Sequence, residues 1–145
     1  MVSALEDDAD VLVSKLVSHK VTYLYRTLWP ALIAIGRSRE SWQTRQLSPE
    51  ARKLLRDVDK NLVRTDRQVS KPGSELEQNL LVYVEQFHTE SGMHARRLES
   101  WDHWSTRTGY RAEPTTAAGA RLRLEEVVAS LNREFNGRGR LPWQE

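Results

Sequence analysis

Hydrophobic positions along this chain switch between two periods. Leu5, Ala9, Leu12, Val13, Leu16 and Val17 recur three to four residues apart, which predicts an amphipathic helix over residues 4–18. Ser3 and Glu6 ahead of it have capping-box spacing. Val21-Thr-Tyr-Leu-Tyr25 is β-branched and aromatic and suits a short strand. An apolar run from Leu28 to Ile35 then reads as a compact helix, capped by Thr27, with Pro30 in its first turn and Gly36 at its end. Residues 37–47 are polar and basic around Trp42 and read as a loop. Ser48-Pro49-Glu50 combines a hydroxyl cap, a proline at the first helical position and an acid in the first turn. It opens a helix to about Asn61 with Ala51, Leu54, Leu55 and Val58 as the buried stripe. Thr65 with Gln68 predicts a short second helix ending near Ser70; Pro72-Gly73 breaks the chain, and Ser74 with Glu77 starts a third helix through Leu80.

The period then changes to two. Leu81, Tyr83, Glu85, Phe87 and Thr89 alternate with Val82, Val84, Gln86 and His88, the signature of a strand. Glu90-Ser91-Gly92 suits a three-residue hairpin loop with Gly92 in the left-handed position, and His94 to Trp101 supplies the returning strand. Residues 105–116 form a connecting loop. Thr116 then caps a long helix with Ala120, Leu124, Val127, Val128, Leu131 and Phe135 on its buried stripe and Gly137 at its C-cap, and Leu141-Pro-Trp143 tucks back onto the core. The expected architecture is mainly α with a small β-hairpin: a winged helix-turn-helix core over 48–104, flanked by helical extensions at 4–36 and 116–136, in a single domain of residues 1–145.

Composition narrows the class. The chain has 145 residues, 39% hydrophobic and 29% charged, the balance of a globular domain. It contains no cysteine, which excludes disulfides, thiolate metal cages and a cysteine nucleophile. The first ten residues are acidic and lack the order of a signal peptide, and no apolar stretch approaches bilayer-spanning length. The expected setting is therefore cytoplasmic, with no membrane contact. A net charge of +2 conceals segregation, since residues 37–71 carry ten Lys and Arg against five Asp and Glu. Such a segment either attracts phosphate or is a solvated helix laced with ion pairs.

Three segments carry a family resemblance. Leu28-Trp-Pro-Ala-Leu32, Leu47-Ser-Pro-Glu-Ala-Arg-Lys-Leu-Leu55 and Phe87-His-Thr-Glu-Ser-Gly-Met-His94 resemble bacterial winged-helix proteins related to the DNA glycosylases that unhook interstrand crosslinks. The resemblance spans roughly residues 20–104, with an echo in Leu141-Pro-Trp143. It implies a single winged-helix module. Those glycosylases are several times longer and carry a catalytic Gln-x-Gln or Gln-x-Asp tripeptide. The nearest counterpart here, Gln43-Thr-Arg-Gln46, has different spacing, so the resemblance implies the fold without the base-excising activity.

In a winged helix-turn-helix the second helix of the motif enters the major groove while flanking elements hold phosphates. The expected contacts are Lys60, Arg64, Arg67 and Lys71 around the turn and Arg96 and Arg97 on the hairpin, with Arg37, Arg39 and Arg45 as a second ridge. Glu75 and Glu77 on the expected reading helix oppose this, because carboxylates repel phosphate. His88, Glu90, His94 and His103 are the only polar cluster of metal-ligand type. Their spacing matches no closed metal motif, and His88 and His94 read as cross-strand neighbours. Glu99, Asp102 and His103 have acid–base residue types, but no nucleophile elbow or phosphate-binding glycine loop accompanies them. Of the five tryptophans, Trp29 and Trp101 are expected in the core and Trp104 at the hairpin, while Trp42 and Trp143 sit in polar surroundings. The expected function is non-catalytic binding of duplex DNA, as a small regulator or an accessory in DNA repair, with no cofactor and no metal. The alternative is a protein-interaction module on the same fold. The two terminal helices offer a homodimer interface or wrap their own core.

Overall fold

The computed structural model describes residues 10–66 and 70–144. They form a mixed α/β structure with two small antiparallel sheets, one of two strands and one of three. The chain divides into two compact units, one built from residues 1–38 and 112–145, the other from residues 39–111.

The unit built from both chain ends begins with a hairpin. Strands β1 (Val11–Ser14) and β2 (Thr22–Tyr25) pair so that Leu12 lies opposite Leu24, both almost fully buried. This corrects the expected helix over 4–18, whose first six residues lie outside the described ones. Val11-Leu-Val13 is short and β-branched, and the strand-forming run at 22–25 gives it a partner; the helical spacing of Leu12, Val13 and Leu16 loses to that pairing. Ser18 and His19 take left-handed backbone angles in the connecting turn, and the Ser18 N–H donates to the Arg140 carbonyl. Helix α1 (Trp29–Ser38) follows, and the Trp29 indole N–H donates to the Leu24 carbonyl at 2.9 Å. Leu32, Ile33 and Ile35 of α1 are buried.

The last helix of this unit is α6 (Ala117–Phe135, labelled here in chain order), capped by the Thr116 hydroxyl as its sequence predicts. Ala120, Leu124 and Val128 are buried. Leu131 and Phe135 continue the same stripe but are 48% and 71% exposed, so the expected buried face ends about two turns early. Leu141 is fully buried, and the Trp143 indole N–H reaches Glu125 at 2.8 Å.

The mid-chain unit contains α2 (Ser41–Thr44), α3 (Pro49–Asn61), β3 (Val63–Asp66), α4 (Lys71–Gln78), β4 (Tyr83–His88), β5 (His94–Glu99) and α5 (Trp101–Thr108). Ser48 caps α3 by accepting the Ala51 N–H at 3.1 Å. Its buried stripe of Ala51, Leu55 and Val58 packs with Leu47, Leu76, Leu81, Val82 and Leu98. The sheet order is β3-β5-β4, with β5 central and both pairings antiparallel.

Four elements differ from the sequence reading, the first being helix α2, which occupies 41–44 within the expected loop 37–47. A strand occupies 63–66 where a helix from Thr65 was expected, because Val63-Arg-Thr65 finds an unfilled edge on β5; residues 67–69 lie outside the described ones. Helix α4 starts at Lys71, not after Ser74. Ser70 caps it, and Pro72 fits its first turn, where the missing N–H has no intrahelical partner to lose. The returning strand ends at Glu99, and Ser100 caps α5, which closes on Gly109 at φ +73. Gly92, at φ +83, takes the left-handed position expected in the β4–β5 loop.

One buried cluster ties these pieces together. Arg96, on the central strand, is 1% exposed. Its Nε donates to Asp66 at 3.0 Å and its Nη2 to the Ser70 carbonyl at 2.6 Å and the Ser74 hydroxyl at 3.1 Å, while Nη1 faces Glu77 at 3.5 Å. Asp66 in turn accepts the Ser70 N–H at 2.9 Å. The guanidinium thus joins β5, the end of β3 and the first turn of α4. Replacing Arg96 by Met leaves two carboxylates without their buried cation, and the expected cost is about 3–5 kcal/mol, read as a fall in the urea midpoint. Gly73 in α4 packs against this cluster: a Cβ there would lie 2.5 Å from Asp66 Oδ2 and 2.8 Å from Arg96 Nη2. Gly73→Ala is therefore expected to destabilise, although alanine gains about 1 kcal/mol of helix propensity over glycine; a raised midpoint would contradict this packing.

Candidate nucleic-acid interface

The residues expected to hold phosphate meet different fates. Lys60 on α3, Arg64 on β3 and Lys71 at the start of α4 are exposed. Arg67 lies outside the described residues. Arg96 is a correction: it is buried and its donors are spent on Asp66, Ser70, Ser74 and Glu77, so it offers nothing to an external anion. Arg97 points to the other face of the sheet, where it pairs with Glu85 at 3.4 Å and stands 5.3 Å over the Phe87 ring. Within the mid-chain unit, Arg39 is held by Asp59 at 2.9 Å, and Arg45 is exposed. Arg37 is an exposed residue of the other unit.

The acids that opposed phosphate binding are also accounted for. Glu75 accepts the Ser48 N–H at 2.9 Å and the Ser48 hydroxyl at 2.7 Å, clamping the start of α3. Glu77 is buried beside Arg96. Neither carboxylate stands free on the outward side of α4, where Lys71 and Gln78 are exposed.

Helix α3 contributes more than the sequence reading assigned to it. At 3.6 residues per turn, Arg52, Lys53, Arg56 and Lys60 fall within roughly 100° of one another, on the side opposite Ala51, Leu55 and Val58. All four are exposed. Arg52 donates to the Thr44 carbonyl at 2.7 Å, and among the described residues Lys53, Arg56, Lys60 and Arg64 enter no ion pair. The flanking Asp59 is committed to Arg39. The signal was present in the sequence as the spacing of Arg52, Arg56 and Lys60, four residues apart, against an apolar stripe of the same period.

The other constellations resolve as follows. Gln43, the nearest match to a glycosylase tripeptide, is 1% exposed; its amide donates to the Asn79 carbonyl at 3.1 Å and accepts the Glu40 N–H at 2.7 Å. It braces the fold, and Gln46, the other glutamine of that segment, is exposed. Glu99 is buried beneath α5, where it accepts hydrogen bonds from Arg107 Nε and Nη2, both at 2.8 Å, and pairs with His103 Nδ1. Asp102, grouped with them in the sequence, is exposed in the first turn of α5. Tyr83, Trp101 and Trp104 pack together beside this cluster with centroids 5.9 Å apart, Trp101 edge to face with each of the other two and Tyr83 tilted against Trp104, and Tyr110 meets Trp104 edge to face at 5.8 Å. Burial raises the Tyr83 pKa, and neighbouring Glu85 adds to that shift. No cluster of three or more metal-ligating side chains occurs among the described residues. The unit built from the chain ends has an open groove of about 410 Å³ lined by Pro30, Ile33, Arg37, Glu113, Pro114 and Ala117 among others. No helix among the described residues is long and apolar enough to cross a membrane.

Compared with known proteins, the chain matches no family model, no curated sequence and no solved structure.

Glu99 carries a testable pH dependence. Its burial alone would raise its pKa; hydrogen bonds from Arg107 and His103 outweigh this and hold it below the ordinary value of 4.5. A carboxylate whose pKa is lower folded than unfolded stabilises the fold fully above its unfolded value and loses that contribution as pH falls through the folded one. The urea midpoint should therefore drop as pH falls from about 4.5. Glu99→Gln should lower the midpoint at pH 7 and flatten the acid slope; an unchanged slope in the variant would assign the acid sensitivity elsewhere.

Proposed function

We propose that residues 39–111 form a non-catalytic duplex-DNA-binding module of winged-helix type, serving as a small regulator or as an accessory in DNA repair. The observation that carries this reading is the outward face of α3, where Lys53, Arg56 and Lys60, with Arg64 following on β3, present cations that no described carboxylate neutralises. Cations in such a row bind phosphate by displacing condensed counterions, which makes affinity fall steeply with salt. The order helix, strand, helix and hairpin supports the winged-helix reading, as does the docking of β3 on the hairpin's returning strand. An ancestry shared with the crosslink-unhooking glycosylases belongs to the same proposal, without their base-excising chemistry.

The phosphate-holding set differs from the one expected from sequence. Lys60, Arg64 and Lys71 stay in it, Lys53 and Arg56 join it, and the hairpin arginines leave it. A second reading, a protein-interaction module that keeps the fold, draws on the hairpin. Arg96 is buried, Arg97 is paired with Glu85 on the surface, and Met93 at the tip is 62% exposed.

Fluorescence anisotropy on a labelled duplex separates the two. The expected result is binding at 50 mM salt whose logarithmic salt slope is about −4 to −5, for some five phosphates neutralised. Reversing Lys53, Arg56 and Lys60 to Glu should weaken binding by at least about a hundredfold and flatten the slope, whereas Arg97→Ala should change it little. Undetectable binding at low salt, or a slope that the reversal leaves intact, would overturn the DNA reading and leave the protein-interaction one.

A further inference from the structure

The tip of the β4–β5 hairpin carries a pair of side chains that phosphate binding does not use. His88 and His94 are register partners on the last rung of the ladder. The next rung outward is hydrogen-bonded, since the Thr89 N–H donates to the Met93 carbonyl at 2.9 Å. Rungs alternate in an antiparallel pair, so His88 and His94 occupy a non-hydrogen-bonded one, where opposed side chains stand closest. Their imidazoles face each other with ring centroids 4.4 Å apart and planes inclined by 50°, and both residues are exposed.

That spacing matches a chelate. Two imidazoles bound to one ion through bonds of about 2.0 Å place their ring centres about 4.5 Å apart when the bonds meet at a right angle, and about 5 Å apart when they meet tetrahedrally. The observed separation lies close to both, and the intrinsic order of affinity at nitrogen donors places Cu(II) ahead of Ni(II) and Zn(II). The inclination of the planes is unconstrained, because each ring turns about its own metal–nitrogen bond. Right-angled nitrogen and oxygen coordination is the preference of Cu(II) and Ni(II), whereas Zn(II) favours the tetrahedron. The ladder fixes both backbones before any ion arrives, so chelation has only the two side chains to order. Glu90, exposed in the adjoining loop, adds negative charge near the pair. No third histidine or carboxylate joins the two rings among the described residues, which leaves the remaining positions to water. This is the chemistry of an open surface site and not of a structural metal core.

We infer that His88 and His94 form a two-nitrogen site at the hairpin tip for a tetragonally coordinated divalent ion, Cu(II) before Ni(II). The site does not depend on the DNA reading, because no residue of the α3 ridge takes part in it.

The test is calorimetric titration of the full chain with Cu(II) at pH 7.5, in a buffer of weak metal affinity, beside His88→Asn, His94→Asn and the double variant. The expected result is one ion bound with a dissociation constant on the order of micromolar. Each single variant should weaken this about a hundredfold, because the second imidazole binds as an intramolecular partner. Gln86→Ala, an exposed neighbour on the same strand face, should bind as the parent does. Saturating Cu(II) should raise the melting temperature of the parent and not of the variants, and without metal all should melt alike. Should a variant melt lower without metal, the nitrogen hyperfine pattern of the parent's Cu(II) spectrum decides: two imidazole nitrogens uphold the site, one or none overturns it. Binding by the double variant equal to the parent's, or no saturation below about millimolar Cu(II), likewise overturns it.

Discussion

A guanidinium removed from water costs several kcal/mol unless charge and hydrogen bonds replace its hydration. Arg96 meets that condition with two carboxylates, one carbonyl and one hydroxyl, drawn from three consecutive parts of the chain. The requirement acts as a geometric constraint. The end of β3, the cap of α4 and the middle of β5 must converge within hydrogen-bonding distance of one planar group. A register slip of one residue on β5 would send Arg96 to the opposite face and bring Arg97 into the core. The rest of the mid-chain unit inherits its arrangement from this point. Helix α4 is anchored at its first turn, its Glu75 reaches the cap of α3, and α3 is thereby oriented with its apolar stripe inward and its basic face outward.

The same constraint explains where the external charge lies. Carboxylates that read from sequence as a repulsive face on α4 are consumed inside the fold, one by Arg96 and one by Ser48. Asp59 is consumed by Arg39. Glu75, Glu77 and Asp59 are thus paired within the chain, while Lys53, Arg56 and Lys60 stay exposed on α3.

Elements with strong local chemistry were legible in the sequence. Ser48-Pro49-Glu50 at the start of α3, Thr116 before α6 and Gly92 in the hairpin loop each carry a backbone requirement that only a few residue types meet, and each sits where its type suggests. What escaped depended on distant partners. Val11-Leu-Val13 and Val63-Arg-Thr65 are too short to declare a period, and they are strands because another strand lies ready to pair. Helix α5 had its signals in Ser100, Asp102 and Gly109, but the aromatic run Trp101 to Trp104 read as the continuation of a strand. For the candidate site, the basic bias of residues 37–71 was visible, whereas its apportionment was not. Arg96 and Arg97 are chemically identical neighbours, and only the alternation of β5 and the distant positions of Asp66 and Glu77 send one inward and one outward. The resemblance to crosslink-repair winged helices rested on segments that are here parts of α1, of α3 and of the hairpin, and of the two glutamines in its nearest tripeptide match Gln43 is a buried brace while Gln46 is exposed.

The division of the chain also bears on the order in which it is completed. Residues 39–111 form one continuous stretch, so every contact of that unit can be made once Arg111 has been synthesised. The other unit joins the β1–β2 hairpin and α1 to α6 and the tail around Leu141, and its two contributions are separated by the whole of the intervening unit. During translation, Leu32, Ile33 and Ile35 of α1 must wait uncovered for α6, while the middle of the chain has already closed. Early exposure to chaperones or to self-association thus falls on the first half of a unit whose second half emerges only after residues 39–111.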